Sequence, residues 1–228
     1  MIKVEKLTLP DTTKAVLWDM DGVLIDSLGF DMVAVNRLLK KYFGRLFPLS
    51  RRYIKSIFAY DPKTFWQLII NRIEKENKIK VSRQQIERII TDYSKMRQAV
   101  GFKLCQGIAK ILAGLNRKNI KQVVVSNNPV KDIKKILTKS RINKKFNLIV
   151  GNDNETFAKK PAPDSYLFAI QSLDLTARGC VVIEDSEIGI KAGKAAGCYT
   201  IGVASGGATK NQLLKMRPKA NKIYSSLS

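Results

Sequence analysis

Two aspartates lie two positions apart at the end of an apolar segment, a spacing that acid–base and metal chemistry can use. Asp19 and Asp21 follow the run Ala15–Trp18. Side chains alternate along an extended chain, so both carboxylates can face one side while Met20 faces the other. Such a pair can serve as a metal ligand and nucleophile beside a proton carrier. A pair of turn or helix-capping residues shows the same pattern, so the spacing alone leaves both interpretations open.

Polar side chains that could hold an oxyanion follow in two further segments. Ser126 and Asn127 come directly after the run Val123–Val125 and offer a hydroxyl, an amide and backbone N–H groups. Lys160 precedes Pro161, and a residue before proline is held extended, which restricts the direction of the lysine. Its ammonium could therefore be aimed at a phosphoryl group. An ordinary strand-to-helix turn remains the alternative for Ser126 and Asn127.

A second acidic pair ends another apolar run. Glu184 and Asp185 follow Cys180–Ile183, a run too apolar to accept carboxylates in its core. If these acids faced Asp19 and Asp21, the charges would repel one another unless a divalent cation lay between them. Oxygen ligands without histidine or thiolate favour Mg²⁺. The sequence therefore predicts a magnesium site at this place.

Several neighbours of these residues fit structural roles. Asp26 and Ser27 are expected to form a hinge and the N-cap of the following helix, and Ser186 a second N-cap. Lys159 is expected to face solvent. Small residues, Gly189 among them, would let the helix after Asp185 lie close against the sheet.

The segments that end in these residues are typical of buried parallel strands. They are short, apolar on both faces and rich in β-branched residues, as strands covered by helices on two sides should be. The predicted strands are Ala15–Trp18, Val123–Val125, Asn147–Val150, Cys180–Ile183 and Cys198–Val203. Helical periods lie between them, and this alternation predicts an α/β fold: a Rossmann-like, doubly wound parallel sheet. Ligands of such sheets bind at the carboxyl ends of the strands.

One long segment breaks the alternation. Residues 28–102 contain helical patterns and no convincing strand, which predicts an all-helical cap domain inserted after the first strand. The core domain would then consist of residues 1–27 and 103–228. Phe65, Trp66 and Tyr60 are expected to form the core of the cap.

Composition excludes several kinds of chemistry. The 228 residues include 41 Lys and Arg, 19 Asp and Glu and no histidine, which gives a net charge of +22. Without histidine there is no His-based general base, His metal site or Ser-His-Asp triad. The positive charge suggests an anionic partner, either nucleic acid or phosphorylated metabolites. Because the lysines are scattered and not clustered in stripes, we favour a solvated surface.

The chain also lacks the marks of a membrane or secreted protein. No apolar run approaches the roughly 18 residues of a membrane span, and the first residues do not resemble a secretory signal. We therefore expect a cytoplasmic protein. Cys105, Cys180 and Cys198 have no metal-type spacing and are expected to be ordinary thiols.

In order and spacing, these segments resemble the four motifs of the haloacid dehalogenase superfamily. The helical segment between the first two motifs is similar to the cap of its phosphoglycolate phosphatase and β-phosphoglucomutase branch. The residues that carry the resemblance are Asp19-Met20-Asp21-Gly22-Val23-Leu24-Ile25-Asp26-Ser27, Ser126-Asn127, Lys160-Pro161-Ala162-Pro163-Asp164 and Glu184-Asp185-Ser186 with Gly189 and Ala195-Ala196-Gly197.

The resemblance implies roles for these residues in phosphoryl transfer. Asp19 would attack phosphorus and form an aspartyl phosphate, while Asp21 would protonate the leaving alcohol and later deprotonate water. The residues implied to contact the phosphoryl group are Ser126 and Lys160 through their side chains and Met20, Asp21 and Asn127 through backbone N–H groups.

The resemblance also implies a metal cofactor. Mg²⁺ would bind the carboxylates of Asp19 and Asp185 and the carbonyl oxygen of Asp21. Glu184 would be a further ligand or a neighbour of the ligands. This acidic pattern argues against dehalogenase chemistry, which needs neither Asp21 nor the metal site.

The implied function is a Mg²⁺-dependent phosphatase of a small phosphorylated metabolite. Sugar phosphomutases of this branch carry a histidine ten residues after the second aspartate, where this chain has Asp31. A phosphomutase or a phosphonate hydrolase is the enzymatic alternative, and a basic nucleic-acid-binding protein on the same fold is the non-enzymatic one. We expect a monomer or homodimer with no membrane partner, and we do not expect nucleic acid to be the ligand.

Overall fold

The computed structural model describes residues 1–153 and 158–228 and is built around a six-stranded parallel sheet. The strand order is β5-β4-β3-β6-β7-β8, so the first strand of the sheet lies in its middle. A separate two-stranded antiparallel hairpin, β1-β2, precedes the sheet. The strands are β1 (Ile2–Val4), β2 (Leu7–Leu9), β3 (Ala15–Trp18), β4 (Lys121–Val125), β5 (Leu148–Val150), β6 (Cys180–Glu184), β7 (Tyr199–Val203) and β8 (Lys222–Tyr224).

Helices cover both faces of the sheet, as the sequence predicts. Val16 and Trp18 of β3 pack in one apolar cluster with α5 and α6, while Ala15 and Leu17 point the other way into a cluster with α7 and α8. This is a doubly wound α/β fold. The helices are α1 (Leu28–Phe43), α2 (Arg51–Ile57), α3 (Pro62–Asn77), α4 (Arg83–Ala99), α5 (Ile108–Arg117), α6 (Val130–Lys139), α7 (Asp164–Ser172), α8 (Glu187–Ala195) and α9 (Lys210–Lys215).

The five predicted strands are all present with ends shifted by up to two residues, and the missed elements are short. The sixth strand, β8, and the hairpin strands have three residues each, and α2 and α9 have seven and six. β8 contains Lys222 and Tyr224 around a single isoleucine, so it lacks the apolar run that marks a buried strand.

The helices α1 to α4, hereafter the helical insert, have an apolar core of their own. Phe65 and Trp66 are buried in it, as predicted, but Tyr60 is 37% exposed and lies at the surface. Tyr60 sits in the turn between α2 and α3, outside the apolar stripe of either helix. The domain boundaries at residues 27/28 and 102/103 stay a prediction.

None of the helices in the described residues is long and apolar enough to cross a membrane. Cys105, Cys180 and Cys198 are free thiols, and burial raises the pKa of all three, to about 12, 11 and 12. Thiols held in the protonated form are poor nucleophiles. This agrees with a structural role for the three cysteines.

Candidate active site

Three of the four acidic residues in the two predicted pairs meet at one edge of the sheet because β3 and β6 are neighbours in register. Trp18 pairs with Ile183, so the residues that follow, Asp19 and Glu184, emerge side by side. The carboxylates of Asp19, Glu184 and Asp185 each have an oxygen within 4.8 Å of the others. In doubly wound sheets this position, where the chain turns from one half of the sheet to the other, is the usual ligand site.

Lys160 reaches into this acidic group from the loop before α7. Its ammonium donates to Asp19 Oδ1 at 2.9 Å, to Glu184 Oε1 at 2.7 Å and to the carbonyl oxygen of Val125 at 2.8 Å. The side chain is buried, and although burial opposes its charge, Asp19 and Glu184 raise the lysine's pKa. Lys160 is thus a fixed cation beside the Asp19 carboxylate.

Glu184 is fully buried and its oxygens are taken up by donors of the protein. Lys160 and the Tyr166 hydroxyl, at 2.9 Å, donate to one oxygen. The Ser186 hydroxyl, at 3.0 Å, and the backbone N–H of Asp185, at 3.2 Å, donate to the other. Ser186 also accepts from the Gly189 N–H and caps α8, as predicted. Glu184 therefore fixes Lys160 as well as lying near Asp19.

The donor set fits a hard divalent cation. Burial, followed by the charge of Glu184, raises the pKa of Asp19 to about 8. Burial and the charge of Asp19 raise the pKa of Asp185 well above its usual range. Two buried carboxylates that resist ionisation beside a third, with one lysine to balance them, form an environment that a cation with oxygen ligands would stabilise.

Small residues allow the acidic group to be packed this tightly. A Cβ at Gly189 would lie 1.8 Å from the Glu184 carboxyl carbon, and a Cβ at Gly206 would lie 1.9 Å from Asp185 Oδ2. Gly207 donates its backbone N–H to the same Asp185 oxygen. The backbone thus holds both acidic residues in place.

We expect Gly189→Ala to lower the free energy of unfolding by about 3 kcal/mol, because the methyl group would displace either α8 or the Glu184 carboxyl group. Gly29→Ala is the matched control: it lies in α1 with no atom within 4 Å of its Cβ position, and should stabilise by about 0.5–1 kcal/mol. Urea unfolding monitored by circular dichroism measures both. A Gly189→Ala variant as stable as the wild type would show that α8 does not depend on this close approach.

Asp21 points away from the acidic group toward the helical insert. The Ser27 hydroxyl, at 2.5 Å, and Arg97 of α4 donate to its Oδ1, and the Asn128 amide donates to its Oδ2 at 2.9 Å. Ser27 precedes α1 but makes no side-chain cap bond. Ser27 is the N-cap residue of α1, as predicted, but its hydroxyl contacts Asp21 instead of a backbone N–H of the helix.

Ser126 and Asn127 lie beside Lys160 and Asp21. Asn128 donates its side-chain amide to Ser126 Oγ at 3.0 Å. Asn127 Oδ1 accepts the backbone N–H of Lys160 at 3.1 Å, and its amide donates to the Ala59 carbonyl of the insert at 3.4 Å. The turn after β4 therefore connects the lysine loop, the insert and the proposed proton carrier.

Two further predictions concern Met20, which follows β3, and Lys159, which precedes Lys160. Met20 is fully buried in the core, so its backbone alone is available to the site. Lys159 is about two-fifths exposed, but its ammonium contacts Asp61 of the insert at 2.9 Å. Lys159 therefore faces solvent, as predicted, and is also paired with the insert.

A cavity of about 420 Å³ opens between the insert and the core, and it is lined by Ser186 and Gly207, which contact Glu184 and Asp185. Lys55 and Tyr60 line it from the insert, and Ser186, Lys191 and Gly207 line it from the core. It has the size and the mixed lining of a site for a small polar ligand.

Sequence reasoning missed three residues of the site. They are Arg97 and Asn128, which contact Asp21, and Tyr166, which contacts Glu184. Asn128 could have been proposed as a site residue, because it follows Asn127 directly at the end of the same strand. Tyr166 lies in a helix, and only the fold brings it to Glu184.

Comparison with known proteins identifies relatives of this arrangement. Residues 16–203 match the family model of haloacid dehalogenase-like hydrolases. The β-phosphoglucomutase of Bacillus subtilis is 30% identical over 197 residues, covering 85% of this chain and 84% of that protein. The phosphoglycolate phosphatase of Aquifex aeolicus is 31% identical over 188 residues, covering 82% and 83%. The crystal structure of a predicted phosphoglycolate phosphatase from Haemophilus somnus superposes with a TM-score of 0.84 at 20% identity, covering 95% of each chain.

Proposed function

The chain belongs to the haloacid dehalogenase-like hydrolases and is an enzyme of their phosphatase type, and we propose that it is a Mg²⁺-dependent phosphatase of a small phosphorylated metabolite. One observation carries the proposal. A buried cation, Lys160, lies 2.9 Å from Asp19 within a group of carboxylates at the carboxyl end of the sheet. A carboxylate nucleophile and a fixed cation for the transferring oxygens are what phosphoryl transfer requires.

Asp19 is the nucleophile in this proposal. Its free oxygen attacks phosphorus, a bond forms between Asp19 and phosphorus, and the bond from phosphorus to the leaving oxygen breaks. Asp21 gives a proton to that leaving oxygen and later removes one from the water that hydrolyses the aspartyl phosphate. Lys160 stabilises the charge that develops on the phosphoryl oxygens.

The remaining residues bind and orient. Ser126 and Asn127, with backbone N–H groups near Met20 and Asp21, are proposed to receive the phosphoryl oxygens. Glu184, saturated with donors, is proposed to keep Lys160 directed at Asp19. In this assignment Glu184 acts mainly through the lysine.

Asp19, Asp185 and the carbonyl oxygen of Asp21 are proposed to hold Mg²⁺, with Glu184 next to them. When bound, Mg²⁺ neutralises charge, which lets an anionic carboxylate approach an anionic phosphate. The three carboxylates within 4.8 Å of one another are the observation that supports this assignment.

The metal assignment predicts that EDTA abolishes turnover, that Mg²⁺ restores it and that Ca²⁺ restores little, because Ca²⁺ takes a larger and looser coordination shell. Asp185→Ala should raise the Mg²⁺ concentration for half-maximal activity at least about tenfold. Isothermal titration calorimetry with MgCl₂ measures the same loss of Mg²⁺ affinity in the absence of substrate. Glu87→Ala, which removes an exposed acid of α4 that pairs with Arg83, is the control. Unchanged Mg²⁺ affinity in Asp185→Ala would exclude Asp185 as a ligand.

The leaving group is proposed to occupy the cavity between the insert and the core, where Lys55 and Lys191 suit a polar or anionic substrate. A phosphomutase is the second candidate because one of the most similar relatives carries that name. Asp31 favours the phosphatase, because it stands where sugar phosphomutases of this branch carry a histidine. Its side chain is buried and bound to Tyr93 and Arg97. A Mg²⁺-containing screen of phosphorylated metabolites, assayed for both free phosphate and isomerised sugar phosphate, distinguishes them.

The large positive charge is proposed to be a solvated surface on a cytoplasmic enzyme. In that case hydrolysis of p-nitrophenyl phosphate should change only a few-fold between about 50 and 200 mM NaCl, through weaker steering of substrate. A nucleic-acid-binding protein that contacts several phosphates would instead lose affinity by orders of magnitude over that range. Tight, salt-sensitive binding of duplex DNA or RNA, measured by fluorescence anisotropy, would contradict the phosphatase assignment if turnover were also absent.

A further inference from the structure

One arginine of the helical insert is shared between two aspartates. Arg97 lies in the last turn of α4 and is 6% exposed. Its Nη1 donates to both carboxylate oxygens of Asp31 in α1, at 2.9 and 3.0 Å, and its Nη2 donates to Asp21 Oδ1 in the core. A single guanidinium therefore connects the insert to the proposed proton carrier.

The connection is rigid on the side of the insert. Asp31 is buried, and the Tyr93 hydroxyl donates to its Oδ1 at 2.8 Å. Arg97 also contacts this hydroxyl at 3.2 Å, and its guanidinium lies 5.4 Å from the centre of the Phe102 ring. Tyr93 and Asp31 thus hold the guanidinium in place independently of Asp21.

The arrangement is not explained by the needs of the insert alone. Both oxygens of Asp31 are already paired through Nη1 and the Tyr93 hydroxyl, so Asp31 does not require the bond between Nη2 and Asp21. The Nε–H of Arg97 is buried without an acceptor among the described residues. A buried donor left unpaired is unfavourable, so this side chain is a poor choice for packing only.

We propose that Arg97 is a positioning residue that orients the Asp21 carboxylate for proton transfer to the leaving group, with Asp31 and Tyr93 holding the guanidinium in place. This inference rests on the proposed phosphatase function. Because Arg97 belongs to the insert and Asp21 to the core, Arg97 contacts the proton carrier only while the insert is docked. Proton transfer matters most for a poor leaving group, so the effect of Arg97 depends on the ester.

The test compares two esters of similar shape, p-nitrophenyl phosphate and phenyl phosphate. Phenolate is the poorer leaving group, with a conjugate acid of pKa about 10, as in tyrosine. In Arg97→Met, kcat/KM for phenyl phosphate should fall about 100-fold, the lower range of general acid catalysis, and that for p-nitrophenyl phosphate only a few-fold. Arg97→Lys should restore part of the loss. Arg83→Met, an exposed arginine of the same helix, is the control.

A second background separates positioning from a general structural effect. If Arg97 acts through Asp21, adding Arg97→Met to Asp21→Asn should cause no further loss that is selective for phenyl phosphate. Because Arg97→Met leaves Asp31 buried without its cation, the variant Asp31→Asn/Arg97→Met, which removes both charges, is measured beside it and should show the same selectivity.

Equal losses on the two esters, or a selective loss that persists in the Asp21→Asn background, would overturn the inference and leave the phosphatase assignment standing. A wild-type enzyme that hydrolyses neither ester would overturn the proposed function and the inference with it.

Discussion

Asp19→Asn should reduce phosphate release by about 10⁴-fold or more, because an amide cannot form the acyl phosphate that divides the reaction into two easier steps. The change is nearly isosteric and removes one charge from a crowded acidic group, so the variant should fold. Its thermal stability should be at least that of the wild type, since Asp19 is held beside Glu184 with its pKa raised to about 8.

The assay is steady-state hydrolysis of p-nitrophenyl phosphate with saturating Mg²⁺. Asp11→Asn is the matched control, because it is an exposed aspartate that pairs with the N-terminal amine. Asp11→Asn should keep wild-type turnover. A stable Asp19→Asn enzyme that retains a tenth of the activity would place the nucleophile elsewhere.

Lys160→Met should lower kcat/KM by about 10²–10³-fold, the loss seen when one preorganised donor to a developing charge is removed. The effect should exceed that of any other lysine, because the Lys160 ammonium lies between Asp19 and Glu184, and no other lysine among the described residues pairs with either carboxylate. Without it the carboxylates of Asp19 and Glu184 face each other with no ammonium between them.

Lys159→Met is the matched control for this variant. It removes the adjacent lysine, whose ammonium contacts Asp61 and not the acidic group, and should change kcat/KM only a few-fold. Circular dichroism checks that both variants are folded, and Lys160→Arg, which keeps the charge in another shape, should show intermediate activity. Equal effects of Lys159→Met and Lys160→Met would mean that neither ammonium touches the transferring group.

Much of the site could be predicted because strand ends are marked in the sequence. Asp19, Ser126 and Glu184 each follow a run of apolar residues, and parallel strands end at the same edge of a sheet. The direction of Lys160 could not be predicted in detail. That it touches Glu184 as well as Asp19 depends on β3 and β6 being neighbours, which is a property of the sheet order.

The contact of Arg97 with Asp21 could not be predicted, although one signal was present. Ile89, Tyr93 and Arg97 are spaced by four residues and share the buried face of α4, so the arginine was marked as inward-facing. Asp31 is 66 residues away and reaches Arg97 through the packing of α1 on α4 within the insert. Asp21 is 76 residues away, and only the docking of the insert on the core brings it to Arg97. The prediction that Tyr60 belongs to the core of the insert was wrong because Tyr60 lies in a turn, where no helical face directs its ring inward.

The most direct test of the account is to identify the residue that carries the phosphoryl group. Asp21→Asn is mixed with p-nitrophenyl phosphate and Mg²⁺, quenched in acid within the first turnover and digested for mass spectrometry. Since the amide introduced in this variant cannot remove a proton from water, phosphoenzyme should accumulate with one phosphoryl group on the peptide that contains Asp19, and none should form in Asp19→Asn. A phosphoryl group on any other residue, or nitrophenol released in the first turnover with no phosphoenzyme formed, would contradict the assignment of Asp19 as the nucleophile.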